Sequence, residues 1–324
     1  MHRTPLRSRA DELKAVRQHA MVRKDRTEMK DKRYWFNIMV FILIVSGMAI
    51  VFVIALTSYN STKGYLHPQR QQRLEDDTPE QFGIAFENVR LVTSDGIELA
   101  AWYTPSENGA LILVAHGHSD IRSPMLYAMF AQNGYGVLAW DFRAHGESGG
   151  ELSTLGYYEA SDVEAALDYG LQQANVENIG AWGGSMGGVA VLETASHRDE
   201  IEVVVIDSAF ATLEDGLKWV VTNEIFLPFI RFFAEMESGV KIEMLRPVDR
   251  IKAISPRPIM IIQGEEDSVI PVDSAQKLFD AAGDPRCLWT EAGVNHVGLY
   301  SMYPEMYEER VVSFFDVYLL QINE

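Results

Sequence analysis

Gly183-Gly184-Ser185-Met186-Gly187 has the form G-x-S-x-G, with the β-rich run Ile179–Trp182 before it and a helix-like stretch from Met186 after it. A nucleophilic serine needs that context. A strained strand-to-helix turn lifts the hydroxyl clear of its surroundings, and only residues as small as Gly183 and Gly187 let strand and helix approach closely. The serine also needs a base, and the base needs a group to orient it. Asp267, in Gly264-Glu265-Glu266-Asp267, and His296, in Gly293-Val294-Asn295-His296, each follow a strand-like run, so the chain offers the order Ser, Asp, His. In such a set His296 takes the serine proton, while Asp267 holds the imidazole in the right tautomer and stabilises its charged form. Asp207, at the end of the run Val203–Asp207, is the substitute acid, and Glu265 and Glu266 are weaker ones. The competing readings are an exposed loop carboxylate for Asp267 and a surface or capping histidine for His296.

Ala115-His116-Gly117-His118-Ser119 follows another β-rich run. The backbone N–H of His118 and that of Met186 are the expected donors to a developing oxyanion. His116 and His118 resemble a metal pair, but no third ligand at suitable spacing and no H-E-x-x-H accompany them, so no metal is expected. A nucleotide phosphate loop is equally unsupported, since no G-x-G-x-x-G can be laid on the serine motif and no Lys follows it. Asp141-Phe142-Arg143-Ala144-His145-Gly146-Glu147-Ser148 reads as a structural loop in which Asp141 and Arg143 pair.

The elements that must position these residues are short and alternating. Phe86–Thr93 and Ile97–Tyr103 form a hairpin through Ser94-Asp95-Gly96. The runs Leu111–Ala115, Gly136–Trp140, Ile179–Trp182, Val203–Asp207, Ile259–Gln263 and Leu288–Thr290 read as strands. Ser123–Asn133, Glu159–Gln173, Met186–Ser196, Val272–Ala282 and Pro304–Leu320 have helical length and apolar spacing. This alternation predicts an α/β fold, a mostly parallel sheet with helices on both faces. Residues 210–247 interrupt it with Trp219, Phe226, Phe229, Phe232 and Phe233, either a helical cap walling an acyl pocket or aromatics packed on the body.

Ahead of this body, Ile38–Leu56 is apolar except for Ser46 and Gly47, long enough as a helix to cross a bilayer, with Tyr34, Trp35 and Tyr59 at its edges. Residues 34–58 therefore predict a single transmembrane helix, longer and later than a cleavable signal region. Residues 1–33 hold eleven Lys or Arg against five acids, a net of +6, so the rest of the chain carries −24 of the overall −18. The positive-inside bias leaves this basic tail in the cytoplasm and turns the body outward. Residues 59–82 read as a polar linker or stalk, with the folded domain, 83–324, starting near Gly83. An acidic body argues against nucleic-acid binding, and 47% hydrophobic with 23% charged residues excludes a disordered chain. Cys287 stands alone, so no intrachain disulfide forms.

Taken together, motifs in this order, each at a strand end, resemble the α/β-hydrolase superfamily over residues 86–320. They are most similar to the branch of serine-aminopeptidase-like hydrolases, monoacylglycerol lipases and membrane-anchored acyl-hydrolases. The resemblance implies Ser185, Asp267 and His296 as catalytic triad, His118 and Met186 as oxyanion donors, and no cofactor. One departure is Ala144, where relatives commonly carry Gly. Hydrolysis of a carboxylic ester or thioester, from a small molecule or a lipid, is the expected activity. A peptidase or amidase using the same triad is the first alternative, and a catalytically silent binding or sensing domain on a membrane stalk the second.

Overall fold

The computed structural model describes residues 9–218 and 223–322. The chain divides into two compact units, Met1–Thr57 and Ser58–Glu324. Helix α1 (Arg9–Leu66) contributes its first part to one unit and its last turns to the other. In the first unit the helix takes in residues 9–33 of the basic tail as well as the apolar run. Its most apolar window has no surface buried within the protein, so it is not a core helix; it is long and apolar enough to cross a membrane.

The second unit is built on eight strands, β1 (Glu87–Val92), β2 (Glu98–Thr104), β3 (Ala110–Ala115), β4 (Gly136–Trp140), β5 (Asn178–Gly184), β6 (Val203–Asp207), β7 (Ile259–Gly264) and β8 (Arg286–Glu291). Their order in the sheet is β1-β2-β4-β3-β5-β6-β7-β8. β1 and β2 pair antiparallel across the predicted hairpin, β2 pairs antiparallel with β4, and every later pair is parallel. β3, β4, β6 and β7 are buried at every position, as near-continuous apolar runs require when both sheet faces are covered.

The covering helices are α2 (Pro124–Gln132), α3 (Glu159–Gly170), α4 (Met186–Ala195), the short α5 (Leu213–Leu217), α6 (Leu227–Ser238), the short α7 (Pro247–Arg250), α8 (Asp273–Ala281), the short α9 (Leu299–Met302) and α10 (Pro304–Tyr318). Leu167, Val189, Leu192 and Leu278 of α3, α4 and α8 pack in one core layer. Tyr127, Phe130, Val311 and Phe315 of α2 and α10 pack in the other.

Residues 59–82 are not the stalk that their composition suggests. The compact unit begins at Ser58, and Tyr65 and Leu66 are buried in its core. The polar side chains that follow are spent on the body. Arg70 donates to the carbonyls of His145, Gly146, Ser148 and Gly150. Arg73 donates to the Arg122 carbonyl and stacks 4.2 Å over the Trp102 ring. The expected Asp141–Arg143 pair is also absent. A turn closed by His145 N–H on the Phe142 carbonyl lies where the two side chains part. Arg143 goes to buried Asp162 on α3 and to Asp95. Asp141 instead accepts from the Arg122 and Glu147 amides. Ala144, the departure from relatives, sits at φ 62°, a backbone region that glycine enters without the roughly 1–2 kcal/mol penalty an alanine carries.

Candidate active site

Ser185 follows the last residue of β5 and precedes the first of α4, at φ 52° and ψ −118°, a sparsely populated conformation for a residue with a Cβ. Its amide is tied to the Asp207 carbonyl at 2.7 Å. The flanking glycines permit the turn by close approach. A Cβ at Gly183 would lie 2.5 Å from the Gly187 carbonyl oxygen, and one at Gly187 would lie 2.3 Å from that of Ala115.

Two loops bring the other residues to this serine. Asp267 follows β7 and His296 follows β8. Nδ1 of His296 is 2.8 Å from Asp267 Oδ2, and Nε2 is 3.0 Å from Ser185 Oγ. Because an ionised carboxylate can only accept, Nδ1 carries the proton and Nε2 is left free to accept from the hydroxyl. Asp267 Oδ1 accepts from the Val269 and Ile270 amides, each at 2.8 Å, and Oδ2 also accepts from Gln263 Nε2 at 2.7 Å. Asn295 clamps the two loops together, its Oδ1 accepting from the Ser268 amide, the Ser268 hydroxyl and the His296 amide. Gln263 and Asn295 escaped the sequence reading; adjacency to His296 was the only signal for the second.

Asp207, the substitute acid, lies apart from the imidazole. Its carboxylate accepts from Ser208 Oγ and Tyr307 Oη, both at 2.9 Å, and the same tyrosine accepts from Trp182 Nε1. Burial pushes the Asp207 carboxyl up to about 6, against the pull of its two hydrogen bonds. Glu265 is likewise elsewhere, accepting from Thr290 Oγ1.

His116, His118 and His145 pack ring against ring, with centroids 5.3 and 5.5 Å apart. Burial lowers all three to about 4, so each is neutral at pH 7. Their nitrogens hold backbone. His116 Nε2 accepts from the Phe142 amide, His145 Nε2 accepts from the Ser119 amide, and His118 Nε2 donates to the Tyr65 carbonyl at 2.8 Å. The amides expected to serve an oxyanion are available. Met186 opens α4, where a helix leaves its first N–H groups without intrahelical acceptors. The His118 amide has no partner among the described residues. Gly117 lies beside the serine, for a Cβ there would stand 3.5 Å from Ser185 Cβ.

Two clefts meet at Ser185, His118 and His296. One, of about 250 Å³, is bounded by Asp120, Leu126, Trp182 and Val297. The other, of about 210 Å³, is bounded by Tyr65, Leu155, Phe210, Val269 and Ile270. Phe226, Phe229, Phe232 and Phe233 line neither, so they do not form the wall considered for them. Phe233 instead packs edge-on against Tyr59 and Phe232, and Phe232 is 60% exposed. Trp219 lies outside the described residues. Among the described residues of the 210–247 stretch, Phe210 and Gly216 reach the site.

Comparison with known proteins agrees with this architecture. The profile of the prolyl oligopeptidase family (Peptidase_S9) matches residues 120–321, more than half the chain. The uncharacterized Bacillus subtilis protein YqkD is 27% identical over 223 residues, 65% of this chain and 73% of its own. The Arabidopsis thaliana alpha/beta hydrolase domain-containing protein WAV2 is 25% identical over 262 residues, 74% of this chain and 82% of its own. Among solved structures, the Pyrococcus furiosus esterase Pf2001 superposes with a TM-score of 0.67 at 25% identity, covering 79% of this chain and all of its own. The fold is that of the α/β-hydrolases.

Proposed function

The chain belongs to the prolyl oligopeptidase family of serine hydrolases, and on that premise we propose that it cleaves carboxylic esters or thioesters through an acyl-enzyme on Ser185. The observation carrying the proposal is the hydrogen-bonded chain from Ser185 through His296 to Asp267 at the meeting point of two clefts. Ser185 Oγ attacks the carbonyl carbon while His296 Nε2 takes its proton, and Asp267 holds the resulting imidazolium in place. The His118 and Met186 amides stabilise the tetrahedral oxyanion, each such donor being worth roughly 3 kcal/mol in the transition state. Collapse expels the alcohol or thiol with the proton from His296. Water then repeats the sequence on the acyl-enzyme and releases the acid.

An ester is favoured over an amide by the apolar character of the Leu155–Phe210–Ile270 cleft and by the similarity to an esterase. The family itself favours the second reading, a peptidase or amidase. The two part on one panel, in which kcat/KM is measured for p-nitrophenyl esters from acetate to decanoate, acyl thioesters and aminoacyl p-nitroanilides. The ester reading expects the esters to exceed the anilides by at least a hundredfold, with medium chains above acetate; the reverse order assigns a peptidase. An intact protein that turns over none of them and takes no fluorophosphonate would be a binding domain.

The proposal includes location. The apolar stretch of α1 acts as an uncleaved single-pass anchor, and the contrast between the basic tail and the few cations after Leu56 directs the hydrolase out of the cytoplasm. Protease added to intact cells or spheroplasts is expected to remove the hydrolase and spare the tail; a protected hydrolase reverses the orientation.

A further inference from the structure

The apolar cleft at Ser185 has a neighbour. A void of about 20 Å³ lies under Leu66, Leu213, Leu217, Val240 and Ile242, and Tyr65 and Leu155 line both spaces. These two side chains therefore form the partition between the cleft that ends at the nucleophile and the pocket beyond it. Both are nearly covered, Tyr65 at 8% and Leu155 at 5% exposure. With room for about one water molecule, the void is too small for an acyl chain while the partition stands.

The partition is held from several directions. The Tyr65 carbonyl accepts from His118 Nε2, and its ring lies 4.9 Å from the His118 imidazole, tilted by 30°. The next carbonyl, that of Leu66, accepts from the Ser153 amide at 2.8 Å. Lys63 and His67, on either side in sequence, both reach Glu237 of α6, at 2.7 and 2.6 Å. A side chain seated on a backbone so restrained presents a fixed wall, and fixed walls set length limits in pockets filled by flexible chains.

We propose that Tyr65 is a specificity-determining residue of this enzyme. The acyl chain of the substrate runs from Ser185 past Phe210 and Ile270 and stops against Tyr65 and Leu155, so the residue that follows the apolar run by nine positions sets the longest acyl group accepted. The inference rests on the ester reading above. Opening the partition joins two apolar spaces, and each methylene that gains a place there raises kcat/KM by about fourfold.

The test uses the full-length protein in detergent, with p-nitrophenyl esters from acetate to myristate. The readout is the kcat/KM ratio of each long ester to butyrate, which cancels a general loss of active enzyme. Tyr65→Ala is expected to raise the ratio at the first lengths rejected by the wild type by at least tenfold, and Tyr65→Phe to keep the wild-type profile. Leu155→Ala opens the same partition from its other side and stands in if the tyrosine variant does not fold. Adding Ile242→Phe to Tyr65→Ala refills the space behind and is expected to restore the shorter limit. Equal proportional change at every length in Tyr65→Ala and Leu155→Ala, with folded protein confirmed by thermal melting, overturns the inference. A wild type that hydrolyses no ester at any length defeats the ester reading itself, and the inference with it.

Discussion

Ser185→Ala is expected to lower kcat on a p-nitrophenyl ester by about four to six orders of magnitude while leaving the fold unchanged. In the proposed reaction the hydroxyl forms the bond that makes the acyl-enzyme, and among the described residues Ser185 Oγ is the oxygen hydrogen-bonded to His296 Nε2. What survives is binding and the two backbone amides, which by themselves give a residual acceleration of about 10³–10⁴ over water. Stability should scarcely move. The substitution keeps the Cβ, the elbow glycines and the amide bond to the Asp207 carbonyl, and removes a single hydrogen bond at a surface that opens into both clefts. Purified wild type and variant are compared by steady-state turnover, fluorophosphonate labelling and thermal melting. More than roughly a tenth of wild-type turnover in the variant removes Ser185 from the mechanism.

Asp267→Asn is expected to cost about four orders of magnitude in kcat, for a reason visible in its hydrogen bonds. The Val269 and Ile270 amides donate to Oδ1, so an asparagine would keep its carbonyl there and turn its NH₂ toward Gln263 Nε2 and His296 Nδ1. Donor would face donor. The imidazole relieves this by moving its proton to Nε2, where it can no longer accept from Ser185. Asp207→Asn touches Tyr307 and Ser208 instead, and its kcat should stay within about tenfold of wild type. Its signature is in stability. The Asp207 carboxyl rises from its ordinary 3.8 to about 6 on folding, so between those values the folded state binds a proton that the unfolded state has released. Stability therefore falls as pH rises through that window, by at most about 3 kcal/mol. An asparagine does not titrate, so the melting temperature of the variant relative to wild type should climb between pH 4 and pH 7. A larger kcat loss in Asp207→Asn than in Asp267→Asn would move the catalytic acid to Asp207.

The nucleophile turn was legible in the sequence because its determinants are local. Gly183, Ser185 and Gly187 lie within five residues, and the collision each glycine avoids is with backbone that any strand–turn–helix of this kind must contain. The strands were legible for a similar reason, since runs such as Val203–Asp207 and Ile259–Gly264 are apolar on both faces. What failed depended on partners far along the chain. Arg143 reaches Asp162 and Asp95, and Asp141 reaches the Arg122 amide; two opposite charges two residues apart gave no hint of either. Composition left the phenylalanines of residues 226–233 open between a pocket wall and packing on the body, whereas the cleft takes its walls from Tyr65, Leu155, Phe210 and Ile270, four separate places in the sequence. Residues 59–82 resembled a stalk because an arginine that donates to four carbonyls, as Arg70 does, reads in sequence like one that meets only water.

The segment from Tyr65 to Arg73 has a bearing on where this hydrolase could be cut without losing its cleft. Proteolysis between Tyr65 and Arg73 would cost the hydrolase Tyr65 as a cleft wall, and past Arg70 also the arginine that grips the 145–150 loop. A cut that spares those groups must fall before Tyr65, within helix α1. The cleft thus depends on chain that directly follows the apolar run, and the hydrolase cannot be trimmed back to Gly83 without losing one of the walls beside its nucleophile.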